Sequence, residues 1–154
     1  LTLVLDNMRS AENTGTIFRL AECAGLTEII TCGITPSPPH PALLKTAMGT
    51  DQRVRTRHIP STLDAVAQLQ AEGMRVCAAE TAGGSASLFK LGAENPAKMG
   101  GSQLLSPPLA IILGTGGGGV VHLPTFGQKN SLNVATCASV LVYEILRQWG
   151  KLDE

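Results

Sequence analysis

Three short stretches, LTLVL (1–5), TEIITC (27–32) and LAIIL (109–113), have apolar centres that do not alternate with polar residues. Runs of that length without alternation suit strands covered on both faces, the condition of a parallel sheet. Helical spacing fills the intervals. TGTIFRLAECAGL places Ile17, Leu20, Ala21 and Ala24 on one face and stops at Gly25; STLDAVAQLQAEG is capped at its start and stops at Gly73. PSPPHPALLKTAMG reads as a proline-rich loop running into a short helix, and QRVRTRHI and MRVCAAE as further strands. The last helix, in SLNVATCASVLVYEILRQWG, has Val134, Ala138, Leu141 and Ile145 along one face. The expected class is α/β, a mostly parallel sheet with helices on both faces, in one domain over residues 1–154. GAENPAKMGGSQLLSPP (92–108) reads as a long mobile surface loop.

A chain of 154 residues, 44% of them hydrophobic, can bury a core, and its apolar runs fall far short of the roughly 20 residues of a membrane helix. No membrane partner is expected. Cys23, Cys32, Cys77 and Cys137 are far apart in apolar contexts, which suits buried thiols in a reducing compartment, the cytoplasm or an organelle, and no metal centre. Formal net charge is zero, so a polyanion would have to meet a local basic patch. The opening Leu1 suggests that a segment precedes it.

Ligands of open parallel sheets sit outside the carboxyl ends of the strands. DNMRSAEN, ETAGG and GTGGGG would fall there. The glycine run matches neither the GxGxxG helix opening nor the phosphate loop with its Lys-Ser/Thr, and strand exits use glycine for purely structural reasons. Arg19 projects away from the Ile17/Ala21 face, above a surface that Gly15 leaves bare; the plain alternative is an exposed arginine paired with Glu22 at i+3. Asn13 could equally be a helix N-cap. Arg53, Arg55 and Arg57 alternate, so a strand would aim all three at one face, either a charged edge or a phosphate-contacting stripe.

Together, DNMRSAENTGTIFRLAECAGL, LAIILGTGGGGV and LPTFGQKNSLNVATCASVLVYEILRQ resemble the three ordered motifs of the SpoU (TrmH-like) RNA 2′-O-ribose methyltransferases of the SPOUT superfamily. The resemblance spans almost the whole chain, and the Asn-x-Gly-x-x-x-Arg and Ser-Leu-Asn-Val signatures are its most specific parts. It implies a C-terminal trefoil knot, which no periodicity could reveal, and a homodimer joined through the first and last helices. It implies S-adenosylmethionine as cofactor, held by Thr81, Gly83, Leu113, Gly114, Leu123, Ser131 and Leu132. The catalytic set it implies is Arg19, Asn13, Ser131 and Asn133, with Ser131 also placed as an N-cap. Its RNA partner, tRNA expected ahead of rRNA, would meet Arg9, Lys45, Arg53, Arg55 and Arg57. No metal is implied, because the cofactor already carries an activated methyl group.

Two departures stand out at one point. The family usually has a glutamate in Gly-x-Glu, where this chain has Gly114, Thr115 and Gly116, and a short helix where it passes almost directly to HLP. Either the cofactor loop is truly shortened or residues belonging there are absent from the sequence; the second is the expectation. The rival functions are a catalytically silent SPOUT protein that binds RNA or the cofactor, and a Rossmann-like nucleotide-binding enzyme.

Overall fold

The computed structural model describes residues 1–80, 86–93, 104–114, 121–129 and 131–153. Five parallel strands make the main sheet: β1 (Thr2–Asp6), β2 (Glu28–Cys32), β3 (Thr56–Ile59), β4 (Arg75–Ala78) and β6 (Leu109–Gly114). Their order is β3-β2-β1-β6-β4. A second, two-stranded sheet pairs β5 (Ala86–Ser87) with β7 (Val121–His122), also in parallel. The helices are α1 (Ala11–Cys23), α2 (Pro41–Ala47), α3 (Thr62–Ala71), α4 (Leu88–Ala93) and α5 (Val134–Gln148).

The apolar runs occupy the sheet centre. Alternate residues of β1 serve opposite layers: Leu3 and Leu5 join Ile17, Phe18, Leu43, Leu141 and Ile145 beneath α1, α2 and α5, while Val4 joins Ile30, Ala65, Leu69 and Ala110 beneath α3. Helices thus cover both faces, as the unalternating strands require. Among the described residues no helix is long and apolar enough to cross a membrane.

Gly15 has a different role from the one its sequence position suggests. Its bare surface is where α2 lies against α1: a β-carbon there would come within 3 Å of Thr46 Oγ1, the Leu43 carbonyl oxygen and the Ala47 nitrogen. Thr46 also donates to the Glu12 carbonyl at 2.8 Å, tying the two helices at the same level.

Several expected elements differ. The predicted strand over QRVRTRHI begins only at Thr56, because a 3-10 turn (Thr50–Gln52) comes first. Thr50 Oγ1 donates to the Ala47 carbonyl at 2.6 Å, and the Arg53 and Val54 amides return to the Thr50 carbonyl, which turns the chain and buries Val54. Residues 94–103 of the expected surface loop lie outside the described residues, but its end is core, with Leu105 buried. The short α4 was not foreseen; its Leu88 is fully buried. Among the thiols, Cys32 and Cys77 are buried and Cys137 half-buried, burial pushing all three up from the ordinary thiol range, whereas Cys23 at the end of α1 is exposed.

Because the α1–α2 contact leaves no room at Gly15, Gly15→Ala is expected to lower the unfolding free energy by about 1–3 kcal/mol, the usual cost of overpacking. Urea denaturation checks this; an unchanged midpoint would contradict so close an approach.

Candidate active site

A cleft of about 250 Å³ opens at the carboxyl ends of β1 and β6, lined by Met8, Arg9, Ser10, Asn13, Gly114 and Val134. The chain leaves β1 toward β2 on one side, while β6 is its neighbour on the other. This is the topological switch point at which open sheets bind ligands.

The β1–α1 connection is fixed from below. The Asn7 amide donates to the Cys32 carbonyl, Asn7 Oδ1 accepts from the Ile34 amide at 3.2 Å, and Thr35 Oγ1 both accepts from the Met8 amide and donates to the Leu5 carbonyl. Ser10 then caps α1 by accepting from the Asn13 amide at 3.1 Å. Sequence reasoning missed Ser10, although a serine just before Ala-Glu is an ordinary start signal. With Ser10 as cap, Asn13 sits inside the helix and its side chain is available elsewhere.

That side chain meets the last helix. Asn133 Nδ2 donates to Asn13 Oδ1 at 3.2 Å across 120 residues of sequence. Asn133 Oδ1 meanwhile accepts from the Ala135 and Thr136 amides at 2.9 and 3.3 Å. Asn133, and not Ser131, is therefore the N-cap of α5: its amide oxygen reaches the first free backbone donors. One side chain both caps α5 and fixes Asn13. Two helix N-termini consequently meet at the cleft, an arrangement whose partial positive charge favours an anion.

Gly114 borders the cleft for a reason visible in the sheet. It pairs in register with Asp6 of β1, and a β-carbon at Gly114 would come within 3 Å of the Asp6 carbonyl oxygen and Cβ. The first glycine of GTGGGG is thus required by strand packing, and it also lines the cleft. Residues 115–120, Thr81 and Gly83 lie outside the described residues.

The other expected site residues are dispersed. Leu113 and Leu123 are buried in the core. Ser131 and Leu132 line a separate groove of about 470 Å³ with Pro124, Phe126 and Lys129. Lys45 is exposed on α2. Arg19 is exposed on α1 and is not among the residues lining the cleft. It donates from Nη1 to Met48 Sδ at 3.3 Å. Its expected partner Glu22 binds Arg53 instead, at 3.2 Å.

The three-arginine stripe is not formed. Only Arg57 lies within β3; it grips Glu28 through Nε at 2.7 Å and Nη2 at 3.0 Å, with Glu72 at 3.4 Å. Arg55 also reaches Glu28, at 3.4 Å. The carboxylates hold the Arg57 guanidinium above its ordinary pKa, through the Glu28 hydrogen bonds first. Glu28 begins β2, so the cluster lies at the amino ends of the strands, away from the cleft. The alternation in RVRTRH reads as a phosphate stripe only when the facing acids, 29 residues away at Glu28 and 31 at Glu22, are out of view.

The SpoU rRNA Methylase family profile matches residues 1–143. The chain belongs to this family. It is 29% identical to the 23S rRNA (guanosine(2553)-2'-O)-methyltransferase RlmP of Bacillus subtilis, over 93% of this chain and 56% of that protein. It is likewise 29% identical to the 23S rRNA (guanosine-2'-O-)-methyltransferase RlmB of Pseudomonas syringae pv. tomato, over 96% of this chain and 58% of that one. The chain therefore spans little more than half the length of these relatives. The fold resembles that of the AdoMet-bound rRNA methyltransferase from Sinorhizobium meliloti, with a TM-score of 0.76 and 25% identity over 95% of this chain and 55% of the other. The A. aeolicus TrmH/SpoU tRNA modifying enzyme shares the fold at a TM-score of 0.78 and 15% identity, over 99% and 76% of the two chains. The match to the Bacillus subtilis protein extends over 156 positions but takes up only 93% of these 154 residues, so roughly a dozen of its positions have no counterpart here.

Two properties of Asn133 can be separated. Asn133→Ala removes the cap and is expected to cost about 1 kcal/mol, while Asn133→Asp keeps the capping oxygen and loses only the donor to Asn13. Urea melts should show the alanine variant destabilised and the aspartate variant near wild type. Equal losses in both would mean that the Asn13 bond, and not the cap, carries the stability. For the basic cluster, Arg57→Gln leaves the buried Glu28 carboxylate with only Arg55 beside it. It should cost about 1–3 kcal/mol of stability while leaving the salt dependence of RNA binding unchanged. A shallower salt slope in filter binding would return Arg57 to the RNA surface.

Proposed function

We propose that this chain carries the methyl-transfer domain of an RNA 2′-O-ribose methyltransferase using S-adenosylmethionine. The observation that carries the reading is the Asn13–Asn133 hydrogen bond. It joins the first and last motifs at a cleft beside Gly114, outside the carboxyl ends of the central strands.

The described residues fit such a cofactor. Gly114 offers backbone without a side chain, Met8 and Val134 give apolar wall, and two capped helix N-termini supply polar edges. Leu113, Gly114 and Leu123 would hold it from the sheet side, Ser131 and Leu132 from the loop before α5, and Thr81 and Gly83 complete the family's set. When bound, it supplies a methyl group already activated on sulfonium. The remaining task is to align a ribose 2′-hydroxyl with the S–CH₃ bond and favour loss of its proton. An arginine, with a pKa above about 12, is a poor base. Arg19 instead holds the neighbouring phosphate and stabilises the forming alkoxide. Asn13, Asn133 and Ser131 order the wall against which the ribose sits. Arg9 at the cleft rim and Lys45 on α2 supply further phosphate contacts.

The family's trefoil knot and homodimer belong to the same reading. The insertion of β6 between β1 and β4 is compatible with a threaded C-terminal part. Val140 and Tyr143 leave an exposed apolar stripe on α5 for a second copy. For the RNA we retain tRNA as the proposal, to be tested beside the 23S rRNA for which the two relatives are named. A silent RNA- or cofactor-binding protein is the second reading, favoured by the lack of an acid in residues 114–119.

Titration calorimetry should show S-adenosylmethionine binding by a protein that sediments as a dimer. Radiolabelled methyl transfer to unmodified tRNA and to a 23S rRNA fragment should fall on the order of a hundredfold or more in Arg19→Ala, with cofactor affinity preserved. No cofactor binding overturns the proposal, and binding without transfer to either RNA establishes the silent reading.

A further inference from the structure

Arg19 and Glu22 are one helical turn apart on α1, a spacing at which arginine and glutamate side chains pair. They do not pair here. Glu22 Oε1 is taken by Arg53 Nη1 at 3.2 Å, and Arg19 rests on the uncharged sulfur of Met48 at 3.3 Å. Both replacements come from one segment. Met48 closes α2 in the left-handed region (φ 54°, ψ 44°), and Arg53 follows the 3-10 turn whose Thr50 bonds back to Ala47. That segment is docked on α1 by the close approach at Gly15 and the Thr46–Glu12 hydrogen bond.

We propose that Arg53 is a positioning residue for Arg19: by holding the Glu22 carboxylate it keeps that acid from pairing with Arg19, whose charge stays available to an RNA phosphate. This rests on the reading in which Arg19 meets the RNA. A thioether is a weak, polarisable acceptor that leaves a guanidinium's charge intact, so a phosphate displaces it easily. A carboxylate in the same place would neutralise the charge and compete with the phosphate for the same N–H fork. Arg53 therefore acts through Glu22 and does not itself need to touch the substrate.

Arg53→Gln, Glu22→Gln and the double variant test this at low ionic strength with two readouts. One is the rate at which phenylglyoxal modifies Arg19, followed by peptide mass spectrometry. The other is methyl transfer resolved into KM for RNA and kcat. Arg53→Gln should slow Arg19 modification and raise KM by on the order of two- to fivefold, the bias an exposed ion pair supplies. Glu22→Gln should match or exceed wild type in both, and the double variant should return to the Glu22→Gln level. A purely structural ion pair would make the two single variants equally poor. A direct Arg53–RNA contact would leave the double variant as poor as Arg53→Gln. Either result overturns the proposal. The modification rate reads the state of Arg19 without any enzyme activity, so it decides the Arg53 role even if methyl transfer is absent. If transfer is present, the KM effects should vanish in an Arg19→Ala background.

Discussion

The architecture depends on β1 being held from every side. It pairs in parallel with β2 along Thr2–Asp6 and with β6 over the same five residues, so none of its edges is free. Leu3 and Leu5 go to one layer and Val4 to the other, and all three are essentially inaccessible to water. A strand so enclosed cannot shift register by one residue without sending its core side chains to the wrong layer. That fixed register sets Asp6 against Gly114 and brings the start of the β1–α1 loop to the end of β6. The cleft is a consequence of the pairing.

A second constraint is electrostatic. Of the five cations expected at RNA, three have carboxylate partners: Arg57 and Arg55 share Glu28, and Arg53 holds Glu22. The exposed Arg53–Glu22 pair adds little to stability, unlike the grip of Arg57 on the buried Glu28, but all three pairs decide where positive charge remains available. Arg19 contacts a sulfur instead. Of the five, Arg9 at the cleft and Lys45 on α2 have no carboxylate partner among the described residues.

The layers and element order were legible in the sequence because burial on both sides of a strand, or on one face of a helix, writes a short-range pattern. LTLVL, TEIITC and LAIIL fall on β1, β2 and β6, and Gly25 and Gly73 end α1 and α3 with positive φ. Information that resides in long-range pairing was not legible. The RVRTRH pattern is the same whether or not Glu28 faces it. Gly15 looks like open surface until α2 is laid on it, and Asn13 looks like a cap until Ser10 is seen to fill that place. The family motifs identified Asn13 and Asn133, yet only the fold shows that they are bonded to each other. The Arg19–Met48 contact joins residues 29 apart through a left-handed methionine, for which the sequence offers no signal.

The departure between Gly114 and His122 bears on how the cleft can work. The lining supplied by the described residues is Met8, Arg9, Ser10, Asn13, Gly114 and Val134, which includes one cation, two helix N-termini and no carboxylate. The usual family acid is absent from residues 114–119, and the match to the Bacillus subtilis relative contains positions that this chain does not fill. A rim of that composition favours an anion and gives no compensation to a positively charged ligand. In the proposed reaction the sulfonium is positive and the RNA phosphates are negative. The phosphate held by Arg19 and Arg9 would bring negative charge to this rim, whose described lining residues carry none themselves.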